Sequence, residues 1–510
     1  MLYNFPRNSP RLLVGVLAIL SLCFIVQWQH SQRSELWTIP KVGKVVDQKE
    51  VLQSFITRLH EHPPARDSLD LPEGLQILRI EEINEETERI DNLKLSDSDF
   101  NASAVAHSTV VELIPEYQDV IQYKKRSQGI VTVGGGAYQP AVLVSIRMLR
   151  KTNCTLPVEV FVPDEADYDP YTCDVVFKEL NAKCVILPQF ENTTIARYQY
   201  KSMALLVTSF EDTLFLDADN FPIVDPAPWF NSEPYLSTGL ITWPDFWVST
   251  ASPVYYRLIN QTTPSLLEHA STEAGSILIS RRKHAESLLL AFYYNLNGPG
   301  FYYELLSQNG IGGEGDKETW VAAARALNKP YYQVRERNHA MVLKDGQETS
   351  LDDIISMLQY DPVEDWKLQQ QDQPTYRNRE DATIVFLHCN RLKMNPAEVL
   401  EKLTFFQPET RERVWGDKQI AIDKFGFDME AVIWAEVIDV ACRYGDVLTE
   451  VDDKEQVCVD LRRFWWRILM NEEMEDKIRA AHEADMAFIE KTRPRLPPPE
   501  EEGQAHEEGK

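Results

Sequence analysis

Between residues 129 and 216 short apolar runs alternate with helical patterns, and this alternation limits what the chain can fold into more than any other feature. GIVTV (129–133) reads as a buried strand and GGG (134–136) as a tight turn, while Pro140 to Arg150 carries Val142, Leu143, Ile146 and Leu149 at helical spacing. Strand PVEVFVP (157–163), a helix from about Tyr171 to Leu180, strand AKCVILP (182–188), a helix over Tyr198 to Ser209 and strand TLFL (213–216) follow. Strands joined through helices run parallel with right-handed crossovers, so this β-α-β-α-β-α-β series predicts an α/β fold with helices flanking an open sheet. Such sheets bind ligands at the carboxyl ends of their strands.

Asp217-Ala218-Asp219-Asn220 stands directly after TLFL and therefore at that edge. Residues two apart in a strand share a face, so both carboxylates are expected to converge on one point. Paired hard oxygen ligands there suit Mg²⁺ or Mn²⁺ bridging to phosphate oxygens. Asp-x-Asp recurs at Asp97–Asp99 and Asp167–Asp169, but the copy at 217 is the one that follows an apolar strand and closes the series.

Charge supports the same expectation. With 52 Lys and Arg against 79 Asp and Glu, the formal balance is −27, which argues against general nucleic-acid binding. A hydrophobic content of 44% excludes a disordered chain. No Gly-x-x-x-x-Gly-Lys-Ser/Thr loop is present, so an acidic protein that handles a diphosphate needs a divalent cation to offset the charge. The glycines at 134–136 admit a dinucleotide-binding alternative, with Asp164 after the second strand as the ribose acid. The Gly-x-Gly-x-x-Gly spacing nevertheless fails at Tyr138-Gln139. The preferred expectation is that Gly134 and Gly135 let backbone approach a nucleotide base or ribose.

Two later segments add candidates. Asp316 and Glu318 stand in GEGDKET (313–319) ahead of an apolar helix from Trp320 to Leu327, either as acids near a helix N-terminus or as members of the site. TIVFLHCNRLK (383–393) reads as a strand ending in His388, which would supply the third protein ligand to the metal, with Lys393 gripping a phosphate.

Near the N-terminus Leu12 to Trp28 is apolar, follows Arg7 and Arg11, and is close to the shortest membrane-spanning length. No small-x-small cleavage pattern follows it, so an uncleaved signal anchor is expected rather than a cleavable signal peptide. Four sequons, at Asn101, Asn153, Asn192 and Asn260, lie after it. Six cysteines after Cys23 allow up to three disulfides, and no Cys-x-x-Cys pair suggests structural zinc. The expected organisation is a cytoplasmic tail (1–11), a transmembrane anchor (12–28), a polar lumenal stem (29–125), a catalytic domain (126–470), and a charged helix with a disordered tail (471–510). This is the layout of a single-pass type II membrane protein with its bulk in the secretory lumen.

The strings YQYKSMALLVTSFEDTLFLDADNFPIVDP (198–226), EPYLSTGLITWPDFWVST (233–250), EAGSILISRRKH (273–284), LLLAFYYNLNGPGFYYELLSQ (288–308), GEGDKETW (313–320) and FLHCNRLKMNP (386–396) resemble one family. It is the fungal Golgi α-mannosyltransferases of the Mnn type, glycosyltransferase family 71, and the resemblance covers roughly 126–400. It implies a GT-A-like, Rossmann-type mixed sheet and a metal-dependent, retaining transfer of mannose from GDP-mannose. The implied acceptors are mannose-terminated glycans on glycoproteins, as in N-glycan extension and cell-wall mannan branching. The α-1,2 members are the nearest in look, with α-1,3 linkage or a UDP-sugar donor as the alternative. A Golgi membrane location and membership of a mannosyltransferase complex are implied too.

Carried onto matching positions, the resemblance implies that Asp217 and Asp219 bind Mn²⁺ and diphosphate, that His388 completes the metal shell, and that Lys201 and Lys393 face the donor. Asp245, Glu273, Asp316 and Glu318 would line the sugar and acceptor pockets. Trp243, Phe246 and Trp247 would offer faces for pyranose stacking, unless they serve core packing. Ser276 stands where the family usually carries Gln after Glu-Ala-Gly, and Trp320 where Phe is usual. The expected chemistry is front-face attack with the acceptor proton passing to the leaving phosphate. Double displacement through Glu273 or Asp316 is the alternative.

Overall fold

The β-branched runs of the series form the strands they predict. The computed structural model describes residues 47–65, 69, 78–307, 315–342, 354–371, 376–406, 413–448, 451–470 and 475–492. The apolar run 12–28 and the tail from 493 lie outside them, and no helix among the described residues is long and apolar enough to cross a membrane. The chain divides into a unit over Met1–Val51, of which residues 47–51 alone are described, and a unit over Leu52–Lys510.

Within the larger unit the strands are β1 (Lys124–Val133), β2 (Val158–Val162), β3 (Ala182–Ile186), β4 (Phe210–Leu216), β5 (Asn220–Pro222), β6 (Leu240–Val248), β7 (Ala270–Ser280), β8 (Tyr332–Gln333), β9 (His339–Val342), β10 (Ile354–Tyr360) and β11 (Ile384–His388). The main sheet has the order β3-β2-β1-β4-β7-β6-β8. Its first four strands are parallel, with Ile130 opposite both Val158 and Leu214. Beyond β4 the sheet turns mixed, because β7 runs antiparallel to β4 and to β6. β2 and β7 are buried along their whole length, as strands covered on both faces must be. A second, antiparallel sheet has the order β5-β11-β10-β9 and sets His388 opposite Asn220. The result is a mixed α/β sheet flanked by helices, consistent with a GT-A-like fold.

The helices begin and end close to where the apolar spacing puts them. Gln139–Lys151 and Gln199–Val207 cover the parallel strands. The stretch expected as a helix from Tyr171 instead opens with a widened π turn, Thr172–Val176, before the single helical turn Phe177–Glu179. A disulfide between Cys173 and Cys184 ties that stretch to β3, and a second, Cys442–Cys458, joins helix Met429–Arg443 to Lys454–Phe464. Cys154 and Cys389 are buried free thiols, so the described residues hold two disulfides of the three that the count allows.

Residues 78–123, inside the stretch expected as stem, pack on this unit. Helix Asp97–Leu113 is capped by Ser96, whose Oγ accepts from Asp99 N at 3.1 Å, and buries Ala106, Val110 and Leu113. His107 Nε2 lies 2.7 Å from Tyr294 Oη. Helix Glu475–Thr492, the charged helix expected near the C-terminus, is held through buried Asp485 by Arg443 (3.0 Å) and Arg462.

Candidate active site

The site is assembled from several chain segments, and the first is the aspartate pair. Asp217 N donates to Gly275 O at 2.9 Å, and Asn220 N donates back to Asp217 O at 3.0 Å. The two aspartates therefore occupy the turn between β4 and β5 rather than the strand itself. This corrects the shared-face argument: on a turn the carboxylates take different partners. Asp217 faces Lys201, at 3.2 Å from Oδ1 to Nζ. Asp219 is held by Lys393 and lies 3.3 Å from His388 Nε2. Ser276, which stands where the family usually carries Gln, is fully buried. It accepts from Asn220 Nδ2 at 2.7 Å and so braces the turn from behind instead of facing the cleft.

β7 contributes Glu273 and β11 contributes His388. Glu273 Oε1 accepts from Gly275 N at 2.5 Å and lies 3.2 Å from His388 Nδ1, without the alignment of a hydrogen bond. Gly275 is required by this approach, since a Cβ there would fall 2.6 Å from His388 Cε1 and 2.8 Å from Glu273 Oε1. The imidazole is thus set between two carboxylates, Asp219 and Glu273. Burial alone would lower its pKa, but Glu273 and Asp219 outweigh burial and hold it well above the ordinary value. Burial likewise acts to raise Asp219, yet His388 and Lys393 hold it well below the usual carboxylate range. For Asp217 burial prevails over Lys201, and its carboxyl is raised.

Asp217, Glu273 and His388 offer ligand atoms that all lie within 4.8 Å of one another. Among the described residues Glu273 Oε2 is buried with no hydrogen-bond partner, as a carboxylate poised for a cation would be. Two carboxylates and an imidazole suit Mn²⁺, so these residues fit a divalent ion. The set differs from the sequence expectation in that Glu273 takes the place of Asp219, which adjoins the group through His388. A second cluster, Cys442, Cys458 and Asp485, is structural, since its cysteines are bonded to each other and its aspartate is salt-bridged.

The surrounding cleft has a volume of about 1290 Å³. Lys201 reaches it from helix Gln199–Val207 but acts as a strut: Nζ donates to Ala274 O at 2.7 Å and lies 3.3 Å from Asp316 Oδ2. Burial raises the Asp316 carboxyl in spite of Lys201. Across the cleft, Asp245 pairs with Lys317 at 3.1 Å, and Phe246 and Trp247 line the same wall. Lys317 is a site residue that sequence reasoning missed, although its place between Asp316 and Glu318 was a signal. Gly134, Gly135 and the half-buried Lys393 also line the cleft.

Two expected site residues lie elsewhere. Trp243 is fully buried; its Nε1 donates to Tyr360 O at 2.8 Å and its ring meets Trp229 and Phe386, so it is core and offers no face to a sugar. Glu318 turns behind the wall, where its Oε1 accepts from Thr272 N at 2.9 Å. Neither acid caps helix Thr319–Ala326 through its side chain; Thr319 Oγ1 donates to Asp316 O at 2.6 Å. All four sequon asparagines are exposed, and Asn153, Asn192 and Asn260 sit at positive φ in surface turns.

The family model described as "Mannosyltransferase putative" matches residues 127–272 and 267–361. The chain is 38% identical over 316 residues to alpha-1,2-mannosyltransferase MNN24 of Candida albicans, covering 54% of this chain and 44% of that one. It is 32% identical over 443 residues to MNN21 of the same organism, covering 72% and 66%. Against MNN5 of Saccharomyces cerevisiae it is 30% identical over 398 residues, covering 62% and 67%. The chain thus spans between 44% and 67% of the length of these relatives.

Proposed function

Because this chain belongs to the fungal Golgi α-1,2-mannosyltransferase family of the Mnn type, we propose that it transfers mannose from GDP-mannose to mannose-terminated glycans in α-1,2 linkage, retaining the α configuration. The observation that carries the reading is the convergence of Asp217, Glu273 and His388, with Lys393 beside Asp219, in one cleft at the carboxyl end of β4. A divalent cation such as Mn²⁺, held by Asp217, Glu273 and His388, supplies charge neutralisation for the departing diphosphate.

The protein's own groups divide the remaining work. Lys393, in the lining of the cleft, exchanges its contact with Asp219 for a phosphate oxygen. Lys201 fixes Asp217 and Asp316 from below, so that neither has to reorganise during transfer. Asp245 and Asp316 accept from sugar hydroxyls, and Phe246 and Trp247 give the acceptor an aromatic wall. Front-face attack, with the acceptor proton passing to the leaving phosphate, suits these contacts.

The same reading makes the chain a Golgi type II membrane protein, with 12–28 as anchor, 29–125 as stem, 126–470 as catalytic domain and glycans on the four exposed sequons. Other Golgi mannosyltransferases are its proposed partners. The test is linkage analysis of the product formed by the detergent-solubilised full chain from an α-mannoside acceptor, offered GDP-mannose and UDP-sugars in parallel with Mn²⁺. An α-1,2-linked mannose from GDP-mannose alone is expected. An α-1,3 product or turnover of a UDP-sugar would overturn the assignment.

A further inference from the structure

We propose that Asp167 reads the base of the donor nucleotide, its carboxylate accepting from N1–H and the exocyclic N2 amine of guanine. The inference rests on the proposed role of the cleft as a sugar-nucleotide site and adds to it the group that selects the nucleotide. Three adjacent parallel strands, β2, β1 and β4, end side by side at the edge of the sheet. Asp167 follows β2, the turn Gly134–Gly136 follows β1, and Asp217 follows β4, and all of them line one continuous cleft. Neighbouring strands are about 4.8 Å apart, so the ends of β2 and β4, with β1 between them, lie roughly 10 Å apart. That is the reach of a nucleoside diphosphate from its phosphates, across ribose, to its base. With the diphosphate at Asp217, the ribose lies over the glycine turn and the base edge meets Asp167.

The turn is shaped for this. Gly135 has φ 96° and Gly136 φ 49°. A Cβ on Gly135 would fall 2.9 Å from the Cβ of Asp167 and 3.0 Å from its Cγ, so the aspartate lies directly against the turn and bare backbone forms the floor beside it. Asp167 is half-buried, and among the described residues no lysine or arginine pairs with it. Burial and the neighbouring Asp164 push its carboxyl up, against a backbone hydrogen bond from Gly136 that acts to lower it. Tyr138, 57% exposed on the rim, and Tyr200, close enough to feel the charge of Asp167, flank this end with aromatic faces on which a purine can stack.

The chemistry selects one base. Guanine presents two adjacent donors to the two oxygens of a carboxylate, a charge-assisted bidentate pair. Uracil presents one N–H between two carbonyl oxygens, which a carboxylate repels. Hypoxanthine is guanine without the amine, and this makes IDP the diagnostic probe.

The experiment is calorimetric binding of GDP, IDP, UDP and 2′-deoxy-GDP, with Mn²⁺, to the full chain and to its Asp167→Asn and Asp167→Ala variants, with melting temperatures to confirm folding. The full chain is expected to bind GDP about ten- to a hundredfold more tightly than IDP, the range of a lost hydrogen bond to a charged group. In both variants that gap closes, GDP losing more than IDP, which presents N1–H alone to the carboxylate and so loses one bond where GDP loses two. A gap that persists in either folded variant overturns the inference. So does an equal loss for GDP and IDP with a lost preference for the 2′-hydroxyl, which assigns Asp167 to the ribose. Failure of the unmodified chain to prefer GDP over UDP instead sinks the proposed donor, and this inference with it.

Discussion

Glu273 and Asp219 show how much one side chain's surroundings decide. Both are buried carboxylates within reach of His388, but Asp219 also carries the ammonium of Lys393, whereas Glu273 keeps one oxygen without a partner. A cation is therefore expected to bind chiefly through Glu273. Glu273→Gln is predicted to weaken Mn²⁺ affinity by about tenfold or more, as loss of a charged ligand should, with a smaller effect from Asp219→Asn. Titration of each folded variant with Mn²⁺ gives the ranking, and a larger loss at Asp219 would restore the pair read from Asp-Ala-Asp. The residue types at 217, 219, 316 and 388 were legible as chemistry. Their partners were not, because Glu273 and Lys317 meet the others across sheet strands and loops whose spacing leaves no local mark.

Among elements, the segment from 78 to 93 carries more than its polar composition suggests. Leu78 O accepts from Val248 N at 3.0 Å, and Arg79 bridges Trp247, so the segment backs the edge of β6 that holds Asp245, Phe246 and Trp247. Arg89 donates to Ser249 O at 2.9 Å, Ala251 O at 3.1 Å and Pro264 O at 3.3 Å, pinning the loop that follows. Arg89→Ala is predicted to lower stability by about 2–3 kcal/mol, because three carbonyls lose a charged donor, and to raise KM for the acceptor more than for the donor nucleotide. Denaturant unfolding and separate KM measurements check both parts; equal rises in the two KM values would show that the segment does not brace the acceptor wall. Nothing in residues 78–93 announces this role, since a short irregular stretch has no periodicity and its anchor is a single arginine bonded to distant carbonyls.

At the scale of the whole molecule, two buried histidines outside the cleft lining tie stability to pH. Burial lowers the pKa of His107 to about 4 and that of His269 to about 4, against an unfolded value near 6.5. Between those values the unfolded chain binds more protons than the folded one. Each histidine thus contributes stability that is complete above pH 6.5 and is lost as pH falls toward 4, by about 3 kcal/mol at most. Melting temperature followed from pH 7.5 to 4 should drop most steeply across that window, and His107→Gln should flatten the drop; an unchanged slope in the folded variant would refute its share.

The α/β class, the four parallel strands, and the aspartates at the tip of the fourth followed from sequence alone, because strand and helix periodicities and the right-handed crossover are local rules. Trp243 was ambiguous for the same reason: period two assigns a face of β6, but not whether that face meets core or cleft. What tertiary structure alone decided was the second sheet. It pairs β11 with β5, sets His388 against Asn220 and so beside Asp219, with Glu273 of β7 on its other side. Those contacts join residues more than a hundred positions apart, and only a folded core that has already placed both sheets can bring them within bonding distance.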